Sequence, residues 1–167
     1  DITLWNNRFV SPLSNIGTSF YKYYLLDTIL VDGVKCVDLG FVPFNSESFG
    51  FTGHIYVPEG DSTYFIKKVK VNVPRDINLN YVENMYLEQD YERLEDGTRI
   101  KTKDDAIIEF RIMPATQGLY ARRMTTYDKF TFTPPDDLSV YDFEGREKVE
   151  VDAQAKPEEF WVDNRHV

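Results

Sequence analysis

Cysteine, histidine, tryptophan and methionine are all scarce in this chain of 167 residues, which has one Cys, two His, two Trp and three Met. The single Cys36 excludes an internal disulfide and any zinc or iron-sulfur site built from several thiolates. It lies in the strand-like run Val34-Lys35-Cys36-Val37, where a small buried hydrophobe is the expected role. His54 and His166 are far apart and belong to no HxxxH or HExxH pattern, so the sequence implies no metal site of the common kind and no cofactor. His54 alternates between Gly53 and Ile55 and reads as a surface or packing residue. No apolar run approaches ~18 residues, so nothing spans a bilayer as a helix. Basic residues are a minority too: 19 Lys and Arg stand against 28 Asp and Glu, a net charge of −9. That field repels phosphate backbones and argues against nucleic acid as a partner.

What the chain does have is rings. It holds 12 Phe and 11 Tyr, and 42% of its residues are hydrophobic. One domain of this size buries a core without disulfides or metals, and large rings fit the half-buried surface of a sheet. The expected fold class is mainly β: a curled antiparallel sheet, half-barrel or open barrel, of about eight strands with few short helices.

The stretch Tyr21 to Val57 organises this reading. Polar and apolar residues alternate through three runs, broken at Asp32-Gly33 and again between Asn45 and Gly50, which predicts an antiparallel meander. Asp32-Gly33 predicts a tight hairpin turn with positive φ at both central residues. Tyr21, Tyr23 and Leu25 fall on one face of the first strand and Tyr24, Leu26 and Leu30 on the other, so cover on both sides is expected. Pro43 has no donor for the ladder, so the second strand ends near Val42 or has its end at an edge. A third strand runs Phe51 to Val57, and a fourth Thr63 to Val73, whose three lysines give it a solvated, edge-like character. Asn78 and Asn80 mark a loop or one helical turn. Tyr81 to Leu94 is read as a strand with Met85, Leu87, Gln89 and Tyr91 opposite a solvated face of Tyr86, Glu88, Asp90 and Glu92. Asp96-Gly97 is a second turn; Arg99 to Lys103, Ala106 to Met113 and Leu119 to Phe132 follow as strands. Residues 1–137 thus form the β domain. Residues 138–167, acidic and weakly patterned, form an extension that packs on the sheet or leads to a further domain. The start at Asp1 without a leader and the stop at Val167 read as those of a segment excised from a longer protein.

Chemistry is harder to find. Gly50-Phe51-Thr52-Gly53 resembles a strand corner, and there is no phosphate-binding GxxxxGKS/T or GxGxxG pattern and no GxSxG elbow. The acidic pairs Asp104-Asp105, Asp136-Asp137 and Glu158-Glu159 lack the spacing of a calcium loop and read as solvated turns. Arg122-Arg123 reads as a patch neutralised by acidic neighbours. The chain therefore reads as non-enzymatic. Its rings either fill a packed core or line a cavity that takes an apolar guest. The candidate lining residues are Tyr21, Tyr23, Tyr24, Phe51 and Tyr86.

FVSPLS (Phe9 to Ser14), YKYYLLDT (Tyr21 to Thr28), DGVKCVDLGFVPFN (Asp32 to Asn45), SFGFTGHIYV (Ser48 to Val57), INLNYVENMYLEQDY (Ile77 to Tyr91) and EEFWVDNR (Glu158 to Arg165) carry a resemblance. Together they are similar to the middle region of a Bacteroidetes outer-membrane envelope family. Its members combine an N-terminal carboxypeptidase-regulatory-like domain, this middle domain and a C-terminal barrel. The succession of aromatic strands also looks like the half-barrels of lipoprotein-localisation factors, which hold acyl chains. The resemblance implies a binding or assembly module on the periplasmic face of the outer membrane. Its implied partners are neighbouring domains of the same parent protein, and a lipid or lipoprotein. The alternative is an envelope hydrolase whose carboxylates converge only in the fold.

Overall fold

The structure, a computed structural model, describes residues 2–4, 6–74, 77, 79, 81–111, 117–134, 136, 138, 142, 144 and 155–164. Two compact units divide the chain, Asp1–Lys129 and Phe130–Val167.

In the first unit a small hairpin, β1 (Ile2–Leu4) with β2 (Asn7–Phe9), turns at Asn6, whose φ of 62° is the left-handed value such a turn needs. A single helical turn, α1 (Gly17–Phe20), leads into the main sheet. That sheet is an antiparallel meander of seven strands in chain order: β3 (Tyr21–Val31), β4 (Val34–Pro43), β5 (Thr52–Pro58), β6 (Lys68–Asn72), β7 (Val82–Arg93), β8 (Arg99–Phe110) and β9 (Leu119–Thr126). It does not close, leaving β3 and β9 as edges. The expected open, curled antiparallel sheet with few short helices is what the chain forms. Register shifts between Leu25 and Asp27, Val82 and Asn84, and Asp90 and Tyr91 supply local bends in a sheet that must curl.

Local chemistry sets the hairpins. Asp32 and Gly33 take φ of 49° and 79°, so the β3–β4 connection is the tight turn that Asp-Gly favours. Pro43 is the last residue of β4 and pairs only with Tyr21, because the β4–β5 ladder ends at Phe41 opposite Gly53. The missing N–H therefore falls where no β5 partner exists. Gly53 permits close approach: a Cβ there would sit 1.9 Å from the Lys70 carbonyl oxygen of β6.

One face of the sheet is packed. Tyr21, Phe41, Ile55, Val69 and Val71 meet Phe9, Phe51, Ile77 and Leu79, which come from β2 and the connecting segments. Phe9 stacks on Phe51 at 4.9 Å and Tyr21 meets Phe41 edge-on at 5.6 Å. Each such side chain contributes ~1.5–3 kcal/mol by leaving water. Cys36 is buried with Val31 and Tyr56 on the opposite face, and burial pushes its thiol up.

Several expectations need correcting. β3 is not covered on two sides. It is an edge strand, and Leu25 and Leu30 are 77% and 74% exposed. β6 is not edge-like but central, between β5 and β7, and it begins only at Lys68. Its lysines face carboxylates on β7 rather than bulk water. For the same reason the Glu88 and Asp90 face of β7 is largely shielded, not solvated. The two short strands expected after Asp96-Gly97 form one continuous β8, so Asp104 and Asp105 lie mid-strand and buried instead of in a turn. β9 ends at Thr126, short of Phe132. The expectations at Asn78, Asn80, Met113, Asp137 and His166 lie outside the described residues.

In the second unit the helix α2 (Glu158–Asn164) carries Glu158 and Glu159 in its first turn, where carboxylates complement the helix dipole, so this acidic pair is not a turn. Phe160 and Trp161 meet edge-on at 5.3 Å.

Candidate functional site

Alternation along the strands sorts the ring-bearing candidates onto different faces. Tyr21 is buried in the core. Its hydroxyl donates to the Val10 carbonyl and accepts the Phe51 N–H at 3.0 Å. Burial pushes its pKa up to about 12, against the Phe51 N–H, which favours the phenolate. Tyr23 donates to the Pro12 carbonyl at 2.7 Å, and burial raises it as well. Phe51 is buried beside Phe9. Tyr24, next in sequence to Tyr23, points to the other face and is exposed, and Tyr86 lies on that face four strands away from it. The five residues therefore do not surround one cavity. Three belong to the packed core, and the structure separates them from the other two because consecutive strand residues face opposite ways.

The face away from the core is polar, and its charges are arranged in order across the sheet. Nδ1 of His54 on β5 lies 2.8 Å from Asp38 Oδ1 on β4, and the His54 ring stacks parallel to Tyr56 at 6.0 Å. Lys68 on β6 has a side chain only 13% exposed, with Nζ 3.1 Å from Asp90, 3.4 Å from Glu88 and 3.5 Å from Asp32. Burial alone would lower Lys68, but the Asp90, Glu88 and Asp32 carboxylates outweigh it and raise its pKa. Glu88 gathers Lys68, Lys70 at 3.7 Å, Lys103 at 3.6 Å and the Tyr86 hydroxyl at 2.6 Å. Burial pushes Glu88 up, and its phenol and ammonium partners more than reverse that, leaving it below the usual carboxylate range. Burial and the Glu88 carboxylate both raise Tyr86. At the far side Arg122 on β9 grips Asp105 with two nitrogens, at 2.9 and 2.7 Å. Those hydrogen bonds hold Asp105 low.

Composition could not reveal this network. Its one sequence signal is the matched alternation of Lys68 and Lys70 with Glu88 and Asp90, legible once β6 and β7 are known to pair. The bland reading of Arg122, neutralised by an acidic neighbour, holds. Among the described residues no group of three or more His, Cys, Asp or Glu is arranged to hold a metal ion. No described helix is long and apolar enough to cross a membrane, which leaves crossing by strands untouched.

Fold and faces together define an open antiparallel β module, packed on one side and ion-paired on the other, with an uncovered aliphatic edge. The chain belongs to a family of unknown function (DUF5686), whose family model matches residues 1–128. No curated protein and no solved structure matches it.

Proposed function

We propose that this domain is a non-enzymatic binding or assembly module on the periplasmic face of the outer membrane, and that it docks a neighbouring domain of its own parent protein along β3. The observation that carries this is the bare edge. Leu25, Leu26, Ile29 and Leu30 are all exposed on a strand of 11 residues whose outer backbone groups have no sheet partner among the described residues. A long aliphatic edge in water invites pairing with another strand, and soluble proteins normally blunt such edges with charge. β3 carries only Lys22 and Asp27.

The sharper form of the reading adds a lipid or lipoprotein acyl chain as guest. Its place would be along these same aliphatic side chains, since the space over the rings of the packed face is filled by Phe9, Phe51, Ile77 and Leu79. For the alternative, a hydrolase, Glu88, Asp90 and Asp105 converge on the polar face. Each of them lies within 4 Å of a cation, an arrangement suited to holding the sheet rather than to donating a proton. Fractionation of cells producing the whole parent protein tests the setting: recovery with the outer membrane is expected, and recovery in the cytoplasm overturns it. Mass spectrometry of an organic extract of the purified protein tests the guest, and its repeated absence removes the lipid form alone.

A further inference from the structure

On the polar face, between the ion-pair network and the β3 edge, lies a depression of about 330 Å³. It exists because Gly40 has no side chain: a Cβ there would stand 2.9 Å from Leu26 Cδ1. Leu26 and Val42 form one wall, and both are large apolar residues open to solvent. His54, Lys70, Asn72 and Tyr86 form the other. Register explains the convergence, because Gly40 pairs with His54, His54 with Lys70, and Asn72 with Tyr86 on adjacent strands.

The polar wall is held from behind. Asp38 fixes His54 through Nδ1, and Glu88 fixes Tyr86 through its hydroxyl. Both partners lie on the network side, so the orientation of the two rings is set before any ligand arrives. Lys70 is held only loosely by the network. Its ammonium is 3.7 Å from Glu88, beyond hydrogen-bond reach, and 5.8 Å above the Tyr56 ring, so its donors are not spent on a close carboxylate as those of Lys101 are at 3.0 Å. By contrast, in the larger depression of about 650 Å³ beside Pro58 the Arg93 guanidinium is held by Asp61 at 2.9 Å.

We propose that this depression binds a small organic carboxylate with a short aliphatic body. The carboxylate meets the Lys70 ammonium and the Asn72 amide, and the aliphatic body lies over Gly40 against Leu26 and Val42. The volume suits a ligand of roughly ten heavy atoms rather than a long acyl chain. The proposal does not rest on docking along β3, although the two share Leu26, and a titration separates them by where its shifts fall.

Titration of isotope-labelled protein with sodium hexanoate, followed by amide chemical shifts, tests it. Saturable shifts centred on Gly40, Gly53 and Lys70 are expected. Hexan-1-ol, which lacks the charge, should bind at least about tenfold more weakly, as should hexanoate to Lys70→Gln, through loss of one charge-assisted hydrogen bond. Gly40→Val, whose side chain takes up the space over residue 40 and crowds Leu26, should abolish binding. Lys70 is partly exposed, so the Lys70→Gln variant keeps the test informative if the glycine variant fails to fold. Absence of saturable shifts, shifts centred on Leu25 and Leu30, or equal binding of hexanol or by Lys70→Gln would each overturn the assignment.

Discussion

Arg122 Nε and one of its terminal nitrogens meet the two carboxylate oxygens of Asp105 at 2.9 and 2.7 Å, tying the edge strand β9 to β8. Asp105 is only 5% exposed, so its charge depends on that fork. Hydrogen bonding from Arg122 lowers its folded pKa. The linked stability is present above the unfolded value of about 3.9 and is lost as pH falls through the lower folded value. Urea midpoints measured from neutral pH downward should fall below about pH 4 in the native chain, and less steeply in Asp105→Asn, which starts lower at neutral pH.

Tyr21 makes the opposite prediction at the alkaline end. Its folded pKa, pushed up by burial to about 12, exceeds the unfolded value of about 10, so its contribution is complete below pH ~10 and fades as pH rises toward 12. Tyr21→Phe should flatten the alkaline slope by that share and leave the part that Tyr23 and Tyr86, raised as well, contribute. It also leaves the Val10 carbonyl and the Phe51 N–H without their partner, at a cost of about 1–3 kcal/mol in chemical denaturation.

The β5–β6 contact predicts a stronger effect. In Gly53→Ala the added methyl would fall 1.9 Å from the Lys70 carbonyl oxygen, a backbone atom that cannot swing aside. The strands must separate or shift, and a loss of about 3 kcal/mol in denaturant unfolding is expected.

The fold was legible in the sequence where local chemistry decides it. Asp32-Gly33 announces its turn, and the period-two patterns of Tyr21 to Val57 and Val82 to Arg93 announce their strands. What was not legible is which strands lie at the edges. Lys68 and Lys70 look solvated in isolation, and only pairing with β7 turns them into partners for Glu88 and Asp90. Asp104-Asp105 looks like a turn for the same reason, because its compensating cations, Lys101 and Arg122, come from elsewhere on β8 and from β9. β3 is the instructive error. Its two apolar faces do read as a strand covered on both sides, and among the described residues that cover is missing.

The mismatch on β3 separates stability from function. Leu25 and Leu30 are mostly exposed, so replacing both with Ser should change stability by no more than about 0.5 kcal/mol each. On the proposed docking role, the same double variant placed in a longer parent protein should lower the yield of assembled protein recovered with the membrane. Unchanged recovery would mean that nothing docks there.

The most direct test of the β3 edge is amide hydrogen exchange across Tyr21–Val31, measured in the isolated chain and in the whole parent protein. Outward-facing β3 amides should exchange quickly in the isolated chain and become protected in the parent, while the amides of central β5 and β6 stay slow in both. Equal and rapid exchange of β3 in the two forms would contradict the docking role.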